Sequence, residues 1–164
     1  MRLRYKALIC GAALVVAVGV LHAYLLDGVD GWVFSKLMGD DTAYAPRFSD
    51  AAFRKIQRGM SESDARALLG PPLREVWVYR EHAISLPTIE FSNGRVISAE
   101  PGPMSQLRTV KVGMTPPQVV ATVGAPEEIS LVYSTTRHDR SYRRRTVSLK
   151  SGRVASMTAE FYVD

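Results

Sequence analysis

The spacing of hydrophobic positions changes several times along the chain. From Ala7 to Leu26 they run almost unbroken, interrupted in polarity only by Cys10 and His22, and about 20 such residues match the length a helix needs to cross a bilayer. From Ser49 onward the spacing turns helical. Ala52, Phe53 and Ile56 share one stripe behind a Ser cap, and Glu62 to Leu69 places Ala65, Leu68 and Leu69 on another. Helices this short are marginal alone and need a sheet to lie on. Leu73–Tyr79, Ile84–Phe91 and Arg95–Ala99 supply one, and Ser92-Asn93-Gly94 marks a hairpin because Asn and Gly accept the positive φ of such turns.

The same pattern then returns. Gly59-Met60-Ser61 and the stop at Gly70-Pro71-Pro72 reappear as Gly113-Met114-Thr115 and Gly124-Ala125-Pro126 at a constant shift of 54 residues, with Ile56 answering to Val110 and Tyr79 to Tyr133. Phe91, Gly94, Arg95 and Val96 answer to Leu149, Gly152, Arg153 and Val154 after four further residues. A duplicated unit follows. Each phrase predicts helix, tight turn, capped helix and stop: Gly59 and Gly113 bend the backbone, Ser61 and Thr115 cap, and Gly70 and Gly124 end the helix. Met60 and Met114 complete the phrase. In the second copy the spacing predicts a weaker helix over 105–112 and a capped partner rich in β-branched Val119, Val120 and Val123. Strands follow over 128–135, 142–149 and 153–163, the last two joined by Lys150-Ser151-Gly152.

These elements predict an α+β protein: an N-terminal transmembrane helix followed by two tandem units, each a helix pair packed on an antiparallel sheet of about three strands. The expected boundaries are an anchor or uncleaved signal over 1–26, a linker over 27–46, a first unit over 47–100 and a second over 101–164. Glu100-Pro101-Gly102-Pro103 marks the break between units. In the linker, Trp32-Val33-Phe34 and Leu37-Met38 form an apolar patch, placed either at a membrane interface or in a short helix on the domain.

Charge refines this. The formal net charge is +5, but Arg2, Arg4 and Lys6 precede the apolar stretch and all 16 acidic residues follow it, so the remainder is only mildly basic. That removes the main support for nucleic-acid binding. By the positive-inside rule, the basic start predicts a single-pass protein of the bacterial inner membrane with a cytoplasmic N-terminus and a periplasmic C-terminal domain. Cleavage after Ala17-Val18-Gly19 or near Ala23, giving an exported form, is the competing reading. His22 lies either inside the bilayer or near its outer interface beside Tyr24. Cys10, the sole cysteine, excludes a disulfide framework in the remainder. It is also poorly placed for lipid attachment, since Ile9 precedes it and most of the apolar run follows.

The order helix, Gly-Met-Ser/Thr, capped helix, Leu-Gly-x-Pro-like stop, aromatic strand and Gly-Arg-Val strand resembles the SmpA/OmlA (BamE-like) domain family. Phe53 to Ala99 carries the match well, and Leu107 to Met157 less well at its first helix. Tandem copies are also similar, more distantly, to the β-lactamase inhibitory protein fold. The resemblance implies a non-enzymatic binding or scaffolding module of the cell envelope with a protein partner. The alternative it implies is an exported tandem protein that binds or inhibits an enzyme. Two features depart from the family pattern: assembly-factor relatives are usually single-domain lipoproteins, and the inhibitor carries disulfides.

Candidate chemistry is sparse. His82 beside Glu81 and His138 beside Asp139 are acid/base types without partner spacing, and no metal-ligand spacing, nucleophile elbow or phosphate loop is present, so no cofactor is expected. The one concentrated charge feature is Arg137, Arg140, Arg143, Arg144 and Arg145. It reads either as a contact for anionic lipid or another acidic surface, or as a solvated hairpin. Trp77 and Tyr79, with Leu131 and Tyr133, share strand faces whose alternation predicts an inward aromatic face.

Overall fold

A computed structural model describes residues 11–20, 39–79, 86–102 and 105–162. The expectations for Cys10, His22, the patch from Trp32 to Met38, His82, Ile84 and Val163 lie outside these. The chain divides into two compact units. One comprises Ala43–Thr135 and Arg144–Thr158, and the other Met1–Thr42, Thr136–Arg143 and Ala159–Asp164.

The expected architecture is corrected in two respects. The described protein is mostly β, with eight strands in two sheets and few helices. Within the apolar N-terminal stretch residues 11–20 are helical. Among the described residues no helix is long and apolar enough to cross a membrane. Nor are there two separate three-stranded sheets. The strands are β1 (Thr42–Tyr44), β2 (Arg74–Val78), β3 (Thr88–Ser92), β4 (Arg95–Glu100), β5 (Glu128–Val132), β6 (Ser134–Thr136), β7 (Tyr142–Lys150) and β8 (Arg153–Tyr162). Six form one sheet in the order β4-β3-β2-β5-β7-β8, and β1 pairs with β6.

After the helical residues 11–20 the helices are α1 (Asp50–Phe53), α2 (Glu62–Leu69) and α3 (Pro116–Val123), with a 3₁₀ turn at Ser105–Thr109 where a weak α-helix was expected. That turn follows Pro101 and Gly102, and its Thr109 hydroxyl donates to the Gln106 carbonyl at 2.6 Å, a local bond that competes with helix propagation. Ser49 caps α1 and Ser61 caps α2, their hydroxyls accepting from Ala52 N and Asp64 N. In α3, Gln118 Oε1 accepts from Thr115 N at 2.9 Å, which satisfies a terminal donor despite the poor helix propensity of the valines.

The two copies meet at the centre of the large sheet. β2 and β5 run antiparallel, and Val76 lies opposite Ser130, its own counterpart in the repeat. An approximate two-fold axis therefore passes through that pair. Each hydrophobic core draws on both copies. Phe53, Ile56, Ala65 and Leu69 of the first pack with Leu131, Tyr133, Val147, Leu149 and Val154 of the second. Leu107, Val110 and Val119 of the second pack with Trp77, Tyr79, Ile89, Phe91 and Val96 of the first. The helices have changed places: each pair covers the other copy's strands.

Candidate functional site

The repeated motif residues are the fastenings of this exchange. Gly59 N donates to Val154 O and Val154 N to Met60 O, while Gly113 N donates to Val96 O and Val96 N to Met114 O. Each Gly-Met turn thus covers the outer edge of the other copy's last strand, a position that would otherwise present unpaired backbone. The arginines of the Gly-Arg-Val strands act at the same places. Arg153 donates to Gly59 O and Arg95 to Gly113 O, both at 3.0 Å.

The helix stops are tied in the same reciprocal way. The Tyr133 hydroxyl donates to Gly70 O at 3.3 Å and the Tyr79 hydroxyl to Gly124 O at 3.2 Å. Both tyrosines are buried, and burial pushes each phenol up to about 12, which keeps the hydroxyl protonated and donating. Gly70 (φ 78°, ψ −168°) and Gly124 (φ 86°, ψ −179°) occupy a backbone region essentially confined to glycine. A Cβ on Gly70 would lie 2.6 Å from Arg47 Cβ.

Beside the first stop lies a small cleft of about 240 Å³, lined by Arg66, Pro72, Arg74, Glu75, Phe91 and Asn93 among others. Its central cation is already engaged. Arg66 bonds Glu62 at 2.7 Å and Glu75 at 2.9 Å. Burial alone would lower the Arg66 guanidinium, but hydrogen bonds and charge from Glu75, then Glu62, outweigh it and raise it. Arg74 also faces a carboxylate, Glu90, at 3.5 Å.

The arginine run does not form one patch. Alternation along β7 sends Arg144 to the face opposite Arg143 and Arg145. Arg145 is 1% exposed; its Nε bonds Asp50 Oδ1 at 2.8 Å and its guanidinium lies 6.0 Å from the Phe53 ring centre. Arg143 Nε bonds Asp40 Oδ2 at 2.9 Å. Burial would raise the Asp40 carboxyl, but bonds from Thr42 and Arg143 outweigh it and lower it. Arg137 and Arg140 are exposed, in the turn before β7.

In that same unit Asp41 organises the turn. Its carboxylate takes bonds from Thr136 Oγ1, the Arg137 and His138 amides, and His138 Nδ1. The His138 bond leads these in holding the Asp41 carboxyl well below the usual range. By sequence His138 had no partner spacing; its partner, Asp41, lies 97 residues away along the chain. Only the Glu62–Arg66 part of these networks had a local signal, the i,i+4 spacing on a helix. Asp41 and the Arg145–Asp50 pair had none.

Trp77 is buried, 4.6 Å from Phe91 between ring centres, and its indole N–H has no hydrogen-bond partner among the described residues. The six-stranded sheet's other face carries half-buried Val76, Val78, Glu90, Ser130, Val132 and Ser148; Ser130 and Ser148 hydroxyls lie 3.3 Å apart. Among the described residues no group of three His, Cys, Asp or Glu could hold a metal ion. No family model, curated protein or solved structure matches the chain.

Proposed function

We propose that the chain is a non-enzymatic binding or scaffolding module of the cell envelope, similar in design to the SmpA/OmlA domains its motifs resemble. The observation that carries this reading is the destination of its distinctive side chains. Tyr79, Tyr133, Arg95 and Arg153 all bond to the carbonyls of motif glycines, and His138 is engaged with Asp41. Groups of these types that act on a substrate must converge on a common space; here the tyrosines and arginines fasten backbone and His138 is bonded to the carboxylate that organises its own turn. The basic start and apolar run from Ala7 to Leu26 support an envelope address.

Affinity capture with the full chain from intact envelopes tests the reading. Recovery of a discrete envelope protein is the expected result. Capture of none, together with turnover of a small substrate by purified material, overturns it.

A second reading, an exported protein that grips an enzyme, is favoured by one feature. The two copies merge into a single six-stranded sheet, whose face away from the helices is contributed by both. Fractionation separates the readings: a soluble form beginning near Val20 or Tyr24 supports export, and retention with membranes after carbonate washing supports the first.

A further inference from the structure

The stretch before Gly70 packs on the second copy, although the chain continues from it into the first copy's strands. Ala45 N donates to Tyr133 O, Gly59 N to Val154 O and Glu62 N to Gly152 O. Tyr133 holds Gly70 O and Arg145 holds Asp50. Phe53, Ile56, Ala65 and Leu69 pack with Leu131, Val147, Leu149 and Val154. This arm, residues 43–70, passes into β2 through Gly70-Pro71-Pro72. The other helical pair differs: it packs on β2 to β4, and the chain enters it directly from β4.

We propose that this arm exchanges between two copies of the chain, giving a dimer in which each arm lies on the other molecule's β5, β7 and β8. The partner is a second copy because it alone offers every contact the arm now makes. Glu75 stays with β2 and is not part of the arm. It lies opposite Leu131 in the β2–β5 pairing, so the second molecule presents both its second-copy strands and a Glu75 for the incoming Arg66.

The chain before Ala43 travels with the arm, so Asp40 and Asp41 exchange their partners Arg143 and His138 for those of the second molecule; within each molecule the conformational change is confined to the hinge. Gly70 holds φ 78° to turn the arm back, whereas consecutive prolines favour an extended path that carries it outward. Exchange of an identical element is a low-cost route to a dimer, since the contacts are already optimised.

Ser61 and Arg153 are opposed across an antiparallel bridge, a Cα separation of about 4.5–5.5 Å that suits a disulfide. In a Cys10→Ser background, full-length Ser61→Cys and Arg153→Cys chains are mixed in denaturant, refolded together at high concentration and oxidised. The expected product is a heterodisulfide of twice the chain mass, and wild-type chain refolded alongside it shows a dimer by native mass spectrometry. A wild-type chain that stays monomeric at every concentration overturns the proposal. So does a dimer without heterodisulfide when the double variant Ser61→Cys/Arg153→Cys closes its own bond. If that double variant fails to close, isotope-filtered NOEs in mixed-label dimers decide. Contacts from Ile56 of one chain to Val154 of the other support exchange, and their absence overturns it.

Discussion

Gly70 and Gly124 have the same backbone geometry in different surroundings, which separates strain from crowding. Both sit in a region that costs other residues about 1–3 kcal/mol, but only Gly70 faces a neighbour, Arg47 Cβ, within reach of a new Cβ. Gly124→Ala should lose about that strain in denaturant unfolding, and Gly70→Ala should lose clearly more. Equal losses would mean that Arg47 moves aside freely. The tyrosines bonded to these glycines make a pH prediction. Their folded pKa is raised to about 12 from an unfolded value near 10. The stability they confer is therefore complete below about pH 10 and lost as pH rises toward 12. Tyr79→Phe and Tyr133→Phe should each flatten this alkaline loss, followed by phenolate absorbance alongside unfolding. Arg145 tests the buried charge. Arg145→Ala removes a buried guanidinium from Asp50, whose side chain is 40% exposed, and losing a charge-assisted hydrogen bond costs about 1.5–3 kcal/mol. A double-mutant cycle with Asp50→Ala should return a coupling above about 0.5 kcal/mol.

At the scale of elements, local chemistry was legible wherever it was self-contained. Ser49 and Ser61 make the terminal bonds that their positions suggest, whereas the Thr115 hydroxyl caps no backbone donor and Gln118 accepts from Thr115 N instead. Both hairpin turns, Asn93-Gly94 and Ser151-Gly152, carry positive φ at both residues. What the sequence could not give is which copy each element touches. Residues related by the repeat present nearly the same surface, so Tyr79 fits either helix stop by pattern alone; the connecting segments decide, and they route it to Gly124. The apolar N-terminal run is another case: its composition predicts a membrane-spanning helix, whereas among the described residues no helix is long and apolar enough to cross a membrane. Asp41 was invisible for a third reason. Two of its donors are backbone amides, which carry no sequence signal, and its side-chain donors, Thr136 and His138, lie 95 and 97 residues away along the chain. Since its folded pKa is depressed, its contribution is present above about pH 4 and lost as pH falls further. Acid titration should therefore move the Arg137 and His138 amide resonances together, and Asp41→Asn should remove the transition.

In the larger compact unit the five residue pairs from Arg74↔Val132 to Val78↔Glu128 join two half-sheets of three strands each, and the cores on either side of this seam are each built from both copies. A cut at Pro101-Gly102, between β4 and the 3₁₀ turn, would therefore sever the chain without separating either core's owners. Each fragment would hold half of two unfinished interiors. Alone they should stay unfolded by circular dichroism; combined, they should complement one another into a one-to-one complex with the native spectrum. In this design the genetic boundary between the repeats is the place where covalent continuity matters least.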